Sequence, residues 1–415
     1  MTYGRQPQID KDIDWVIDEE GNVLGYMRDP RSMARIVTVD PDTGLITDPV
    51  QRDAVNEVAK TAGKKWSLDS VNMAVVTDAP TMSASTTATV TGGTTIQYTS
   101  SLLTYFNGTM GDYIGVGYKN VTQSGASDKD KCVGVQFYVD TDVLELKLQS
   151  FGGSSGVDIF VNGQPFAETA YTWTTAGGTY YVKLSFGTVK PRLIEVNADC
   201  VFCSINIPAY ATLWKAPRAA ERTLAIVADS WVGGANAGGI AHSWIYRAAR
   251  LMGFTQVLNF AQPGTGLVNT GGGGARGAYI DRIPQVLAKK PDKVLVCGSV
   301  NDMSGSTSLI QPAAAALTAA LDAGGIDYLI CGPQYCNPSN TANDDVYTSA
   351  MVAGLSSKAA ATYFSPKGWL TGASNAAGNR ALYAVGDNLH INALGMRFWS
   401  RQMAAACIAK GFYAS

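Results

Sequence analysis

The chain has 415 residues, with 32 Lys and Arg against 34 Asp and Glu, a formal net charge of −2 and only 2 His. Charged residues make up 16% of it, against about 25% in a typical soluble domain. That is too thin for the many Lys/Arg–phosphate contacts of nucleic acid binding or for polybasic membrane docking, while 46% apolar residues exclude wholesale disorder.

The length predicts two or three domains. Residues 1–65 are the most densely charged part and carry turn signals in EEGNVLG, RDPRS and VDPDTG. They are expected to form an N-terminal arm or attachment segment, with a helical turn or two near Asp53–Lys60. No apolar h-region follows Met1, so no secretory signal is expected.

Residues 66–216 change to period-two alternation. YIGVGY at 113–118, VGVQFYV at 133–139, LELKL at 144–148, VDIFV at 157–161, YYVKLSF at 180–186 and LIEV at 193–196 are rich in β-branched and aromatic residues. Asn162-Gly163 and Gly-Gly pairs lie between them, as hairpin loops require. Many short strands without intervening helices predict an antiparallel β-sandwich, a candidate carbohydrate-binding domain.

Residues 217–415 change period again. Apolar strands TLAIV at 223–227, 257–260, KVLVC at 293–297 and YLIC at 328–331 alternate with helical stretches at 240–252, 279–289, 311–323, 347–361 and 392–409. This alternation predicts a three-layer α/β/α domain around a parallel sheet, whose ligand site lies at the carboxyl ends of the strands.

Small polar residues follow those strands: Ala228-Asp229-Ser230-Trp231, then Gln262-Pro263-Gly264-Thr265-Gly266, then Ser299-Val300-Asn301-Asp302. Asp387-Asn388-Leu389-His390 precedes the last helix. A serine hydroxyl needs a base to act as a nucleophile. His390 can be that base, with Asp387 holding one tautomer and stabilising the imidazolium. The Ser230 and Gly264 N–H groups and the Asn301 amide can receive the developing oxyanion. Gly266 is the alternative glycine, while Asp229 and Asp302 are expected to orient loops rather than react.

These blocks, in this order, resemble the SGNH (GDSL-type) hydrolase family, with Ala228 where that family usually has Gly. The resemblance covers roughly residues 222–412. It implies a serine esterase with catalytic Ser230, Asp387 and His390, an oxyanion hole of Ser230, Gly264 and Asn301, and no cofactor. A β-sandwich ahead of such a domain resembles carbohydrate esterases that remove acetyl groups from polysaccharides. The Gly/Thr-rich, weakly charged composition and the turn-rich opening are similar to phage tail fibres and tailspikes. Together they imply a virion enzyme made in the host cytoplasm, acting on an acetylated capsule or O-antigen. Its expected partners are other tail proteins, reached through the N-terminal segment, and its own copies, in threes if it is a tail fibre. A catalytically retired receptor-binding or structural virion protein is the rival outside enzymology, and a lipase or thioesterase the rival within it.

Trp231, Gly266 and Tyr335 are the expected substrate contacts, with Trp244 and Trp369 as further aromatics. His242 is expected to be structural. The seven cysteines are spread thinly, and the lone pair Cys200 and Cys203 has no second ligand pair, so no metal is expected. Two matches are decoys: GGSSG at 152–156 lies between strands, and GGGARG at 272–277 lies too far past its strand for a phosphate turn, reading better as a mobile loop near the site.

Overall fold

The computed structural model describes residues 81–414, apart from 122–131, 151–154, 163, 168, 174–177, 217–220, 236, 273–275, 304–306, 338–339, 372–378 and 388. Ahead of these it describes four strands, Thr2–Arg5, Ile13–Ile17, Val23–Arg28 and Ile36–Thr38. They pair as an antiparallel meander in sequence order, where the sequence reading had only turns. The helical turns expected at Asp53–Lys60 and the expected boundary between 65 and 66 lie outside the described residues, as do residues 217–220 just past the second expected boundary.

Between Thr81 and Trp214, hydrogen bonds join twelve strands into one antiparallel sheet. Two long strands organise it: Val133–Gln149 and Thr179–Ala198 pair along almost their whole length. Each was expected as two strands. The register shifts between Thr141 and Val143, and such a bulge bends a strand without ending it. Alternate residues on either side of the bend, Val133, Val135, Phe137 and Val139, then Leu144, Leu146 and Leu148, enter one apolar core. The expected strand at 113–118 is instead a hairpin, Met110–Tyr113 with Gly117–Asn120. Its turn holds Ile114 at φ 46° and Gly115 at φ 75°.

From Thr223 onward the chain builds a five-stranded parallel sheet. Its strands are β1 (Thr223–Val227), β2 (Gln256–Asn259), β3 (Lys293–Ser299), β4 (Asp327–Gln334) and β5 (Tyr363–Phe364), in the order β2-β1-β3-β4-β5. Helices α1 (Trp244–Leu251), α2 (Tyr279–Ala288), α3 (Thr307–Ala323), α4 (Thr341–Leu355), α5 (Ala359–Thr362), α6 (Arg380–Tyr383) and α7 (Ala393–Ala409) accompany it. Alternation along β1 separates two cores. Leu224 and Ile226 join a cluster with Trp244 of α1 and Trp399 of α7. Ala225 and Val227 join one with Tyr279 of α2, Leu317 of α3 and Tyr347 of α4. Both faces are therefore covered, which is why these strands read as continuous apolar runs.

The helix expected at 240–252 is split by Ser243, whose extended backbone separates a 3₁₀ turn, Ile240–His242, from α1. Helix α1 also fastens the two sheets together. Arg247 donates to both carboxylate oxygens of Asp158, at 2.9 and 2.8 Å, and both side chains are buried. One turn on, Arg250 forks onto Glu195 and lies over the Phe160 ring. Asp158→Ala leaves a buried guanidinium without its carboxylate and with contacts such as that to Ala167 O at 3.2 Å. It should cost about 3–5 kcal/mol, read by chemical denaturation; a loss below about 1 kcal/mol would show that the pair does not hold the sheets together.

Candidate active site

In a sheet of this order, chains leave the carboxyl ends of β1 and β3 in opposite directions, opening a crevice where side chains can meet a ligand. Ser230 stands three residues beyond β1 and Asn301 two residues beyond β3. No helix follows Ser230 directly. It starts a run of turns, and the N-cap of α1 is Ser243, so Ser230 is not there to cap a helix.

Ser230 is buried, and its Oγ lies 2.8 Å from His390 Nε2. On the other side of the ring, His390 Nδ1 lies 2.7 Å from Asp387 Oδ2. The second carboxylate oxygen of Asp387 accepts the N–H groups of Leu389 and His390, each at 2.9 Å. Partial burial pushes this carboxyl up, but the hydrogen bonds from the His390 ring, the His390 N–H and the Leu389 N–H outweigh it and bring it down to about 2. Asp387 is therefore ionised across any working pH and fixes the ring with Nε2 facing Ser230. Residues 160 positions apart in sequence meet here because Asn392 caps α7 through its Oδ1 and the Gly395 N–H. The cap places His390 at the mouth of the sheet.

Gly264 has φ +77°, a left-handed conformation that favours glycine. Neither its N–H nor that of Ser230 has a hydrogen-bond partner among the described residues. The Asn301 amide nitrogen is already engaged, 2.8 Å from Ser299 Oγ and 3.1 Å from Thr265 O. To meet an oxyanion, it must exchange one of these acceptors for the ligand.

Supporting groups surround these atoms. Asp229 is buried, accepts the Ser299 hydroxyl at 2.6 Å and the Trp231 N–H at 2.9 Å, and lies 3.4 Å from the Asn301 amide. Burial raises its carboxyl to about 6, against the lowering effect of those hydrogen bonds. Asp302 accepts three successive N–H groups, those of Leu267, Val268 and Asn269. Both aspartates thus orient loops. Ser299, Thr265 and Arg282 escaped the sequence reading. Ser299 and Thr265 left a trace there, as hydroxyls in the polar blocks that follow apolar strands, and Arg282 left none.

The expected substrate contacts fare differently. Trp231 is completely buried, with its ring centroid 5.0 Å from that of Trp399, so it offers no face to a substrate. Gly266 is not a free donor, because its N–H is bound to Asn269 O at 2.9 Å. The Tyr335 hydroxyl donates to Asp344 at 2.8 Å and its ring packs on the α2–α4 core, which commits it to the scaffold. Trp244 is core, while Trp369 is half-buried against Trp399. His242 is half-buried, and its desolvation lowers it to about 4, consistent with a neutral structural ring. The serine at the centre of the GGSSG match, Ser154, and residues 273–275 of the GGGARG loop lie outside the described residues. All seven cysteines are free and buried. Among the described residues, no helix is long and apolar enough to cross a membrane.

No family model matches the sequence, and no curated protein does. Solved structures do. A family two carbohydrate esterase from Clostridium thermocellum, in complex with cellohexaose, superposes with TM-score 0.53 at 17% identity, covering 75% of this chain and 99% of that one. A protein described as a GDSL-like lipase from Bacteroides ovatus gives 0.57 at 11% identity, over 78% and 99%. An acetyl xylan esterase from the rumen bacterium Butyrivibrio proteoclasticus gives 0.51 at 12%, over 77% and 99%. The chain has the SGNH hydrolase fold.

Gly266 has a packing role that can be tested. A Cβ there would stand 2.1 Å from Asp302 Oδ2 and 2.3 Å from its Cγ. Gly266→Ala must therefore displace the carboxylate that organises residues 267–269. It should cost about 1–3 kcal/mol, as overpacking does; a variant with wild-type melting temperature would contradict this packing.

Proposed function

We propose that this chain is a serine esterase that removes O-acetyl groups from a bacterial surface polysaccharide, a capsule or O-antigen, as a component of a phage tail. The observation that carries the chemistry is the hydrogen-bonded relay Ser230–His390–Asp387, with contacts of 2.8 and 2.7 Å. His390 takes the Ser230 proton as the oxygen attacks the acetyl carbonyl. Negative charge builds on the carbonyl oxygen and is received by the Ser230 and Gly264 N–H groups and by Asn301. His390 then gives that proton to the departing sugar oxygen as the ester C–O bond breaks, which frees the sugar hydroxyl. Water, deprotonated by the same ring, attacks the acetyl-serine and releases acetate, and the proton returns to Ser230.

A sugar ester is favoured because one structural neighbour is named as a carbohydrate esterase, in complex with cellohexaose, and another as an acetyl xylan esterase. The low charge of the chain suits a neutral or weakly charged polymer. The antiparallel domain, read as a β-sandwich, is the candidate platform for the polysaccharide beside the site. The tail assignment rests on composition and on the turn-rich opening. It implies attachment to other tail proteins through residues 1–65 and self-association, as a trimer in a fibre.

Ser230→Ala should abolish hydrolysis of a small chromogenic acetate while leaving the melting curve unchanged. Residual activity near wild type would remove Ser230 as nucleophile. Asn301→Ala should lower kcat by about 10²–10³, as loss of one oxyanion donor does elsewhere; a loss below about threefold would take it out of the hole. Mass spectrometry of candidate capsules and O-antigens before and after treatment identifies the polymer. Loss of acetyl mass from one of them is the expected result.

A further inference from the structure

We propose that Arg282 is a positioning residue for the oxyanion hole, a buried guanidinium fork that fixes the ends of β1 and β2 and the Gly264 loop in one geometry. This rests on the reading of Ser230 as nucleophile and deepens it.

Arg282 lies on α2 and is almost wholly buried. Its Nη1 donates to Phe260 O at 2.6 Å and to Ala228 O at 3.1 Å, and its Nη2 donates to Thr265 Oγ1 at 2.9 Å. Ala228 is two residues before Ser230, Phe260 is the first residue after β2, and Thr265 directly follows Gly264. One planar group therefore touches both segments whose N–H groups would face the oxyanion. Thr265 extends the connection in two directions. Its hydroxyl donates to Gln262 O at 2.7 Å, closing the loop around Gly264, and its carbonyl accepts the Asn301 amide at 3.1 Å. All three expected oxyanion donors are thus within two residues of an atom held by, or linked through Thr265 to, this one side chain.

Burying a cation costs several kcal/mol unless partners compensate it. No carboxylate stands within 4 Å of the Arg282 nitrogens among the described residues. Its partners are two carbonyls and a hydroxyl, and its ring contact is the buried Tyr279, 4.7 Å below. The fold itself does not demand this arrangement, because β1 and β2 are already joined by a four-residue parallel ladder and by Gln262 N to Ala228 O at 3.0 Å. What the guanidinium adds is a fixed angle between the Ser230 turn and the Gly264 loop, with a positive charge behind them where negative charge develops. Burial lowers Arg282 only to about 10, so it stays charged at neutral pH. Lysine cannot substitute fully, since an ammonium lacks the planar fork that reaches divergent acceptors.

The test compares Arg282→Met, Arg282→Lys, Thr265→Val and Ser230→Ala on a chromogenic acetate, with melting curves for each. Folded Arg282→Met should lose about 10²-fold in kcat, the scale of one misplaced oxyanion donor, with KM within threefold, and Arg282→Lys should recover part of the loss. A merely structural arginine would lower the melting temperature and leave kcat near wild type, which overturns the proposal. If Arg282→Met does not fold, Thr265→Val cuts one arm of the fork at nearly constant volume. It should then cost about tenfold in kcat at unchanged KM, and wild-type kcat would overturn the proposal equally. Full activity of Ser230→Ala would instead overturn the reading of the site itself, a different outcome from normal turnover in the Arg282 variants.

Discussion

The site depends on a carboxylate placed where water cannot reach it. Asp229 sits between the diverging ends of β1 and β3, accepting from the Trp231 backbone on its own side and from the Ser299 hydroxyl across the gap. Ser299 in turn accepts the Asn301 backbone N–H and side-chain amide. One buried charge therefore links the Ser230 turn to the element carrying Asn301. Hydrogen bonds to a charged acceptor are stronger than neutral ones, and leaving any of them unmade at this depth would be costly. That is a physical reason for an aspartate directly before the serine.

The antiparallel domain is part of the same construction. Asp199, at the end of its second long strand, accepts the Gly156 N–H at 2.5 Å and the Ala241 N–H at 3.3 Å. Gly156 belongs to the strand Ser155–Val161, and Ala241 to the 3₁₀ turn that closes the loop after Ser230. With Arg247 and Arg250 anchoring α1 to Asp158 and Glu195, the segment from Ala241 to Leu251 is tied to the antiparallel domain at both ends. The chain after Ser230 needs that support, because no helix follows it directly to stiffen the turn.

What could be read from the sequence follows from how local each cause is. TLAIV at 223–227 was placed to the residue, since a strand covered on both faces is a continuous apolar run. The polar blocks at strand ends were legible for the same reason: they interrupt such runs. The long strands were read in pieces because the bulge at Thr141 and Val143 shifts the alternation that marks a strand. Ile114 in a tight left-handed turn defeats a pattern that expects a β-branched residue to extend the chain. Arg282 was invisible because each of its partners is remote in sequence, and nothing in YIDRIPQVLA distinguishes a buried arginine from a solvated one.

Trp231 is the instructive error. Adjacency to a nucleophile suggests contact with substrate, yet the turn after β1 sends the two side chains in different directions. The Ser230 hydroxyl meets His390, while the indole of Trp231 enters the core beneath α7 and packs on Trp399. Trp399 packs in turn on Trp369, at 4.9 Å. Helix α7 begins three residues after His390. The tryptophan thus locks the serine turn to the helix whose start carries the histidine. The 2.8 Å contact between Ser230 and His390 is therefore set from below by aromatic packing as well as from above by Asp387. A smaller residue at position 231 would leave Ser230 and His390 present while removing packing that supports their separation.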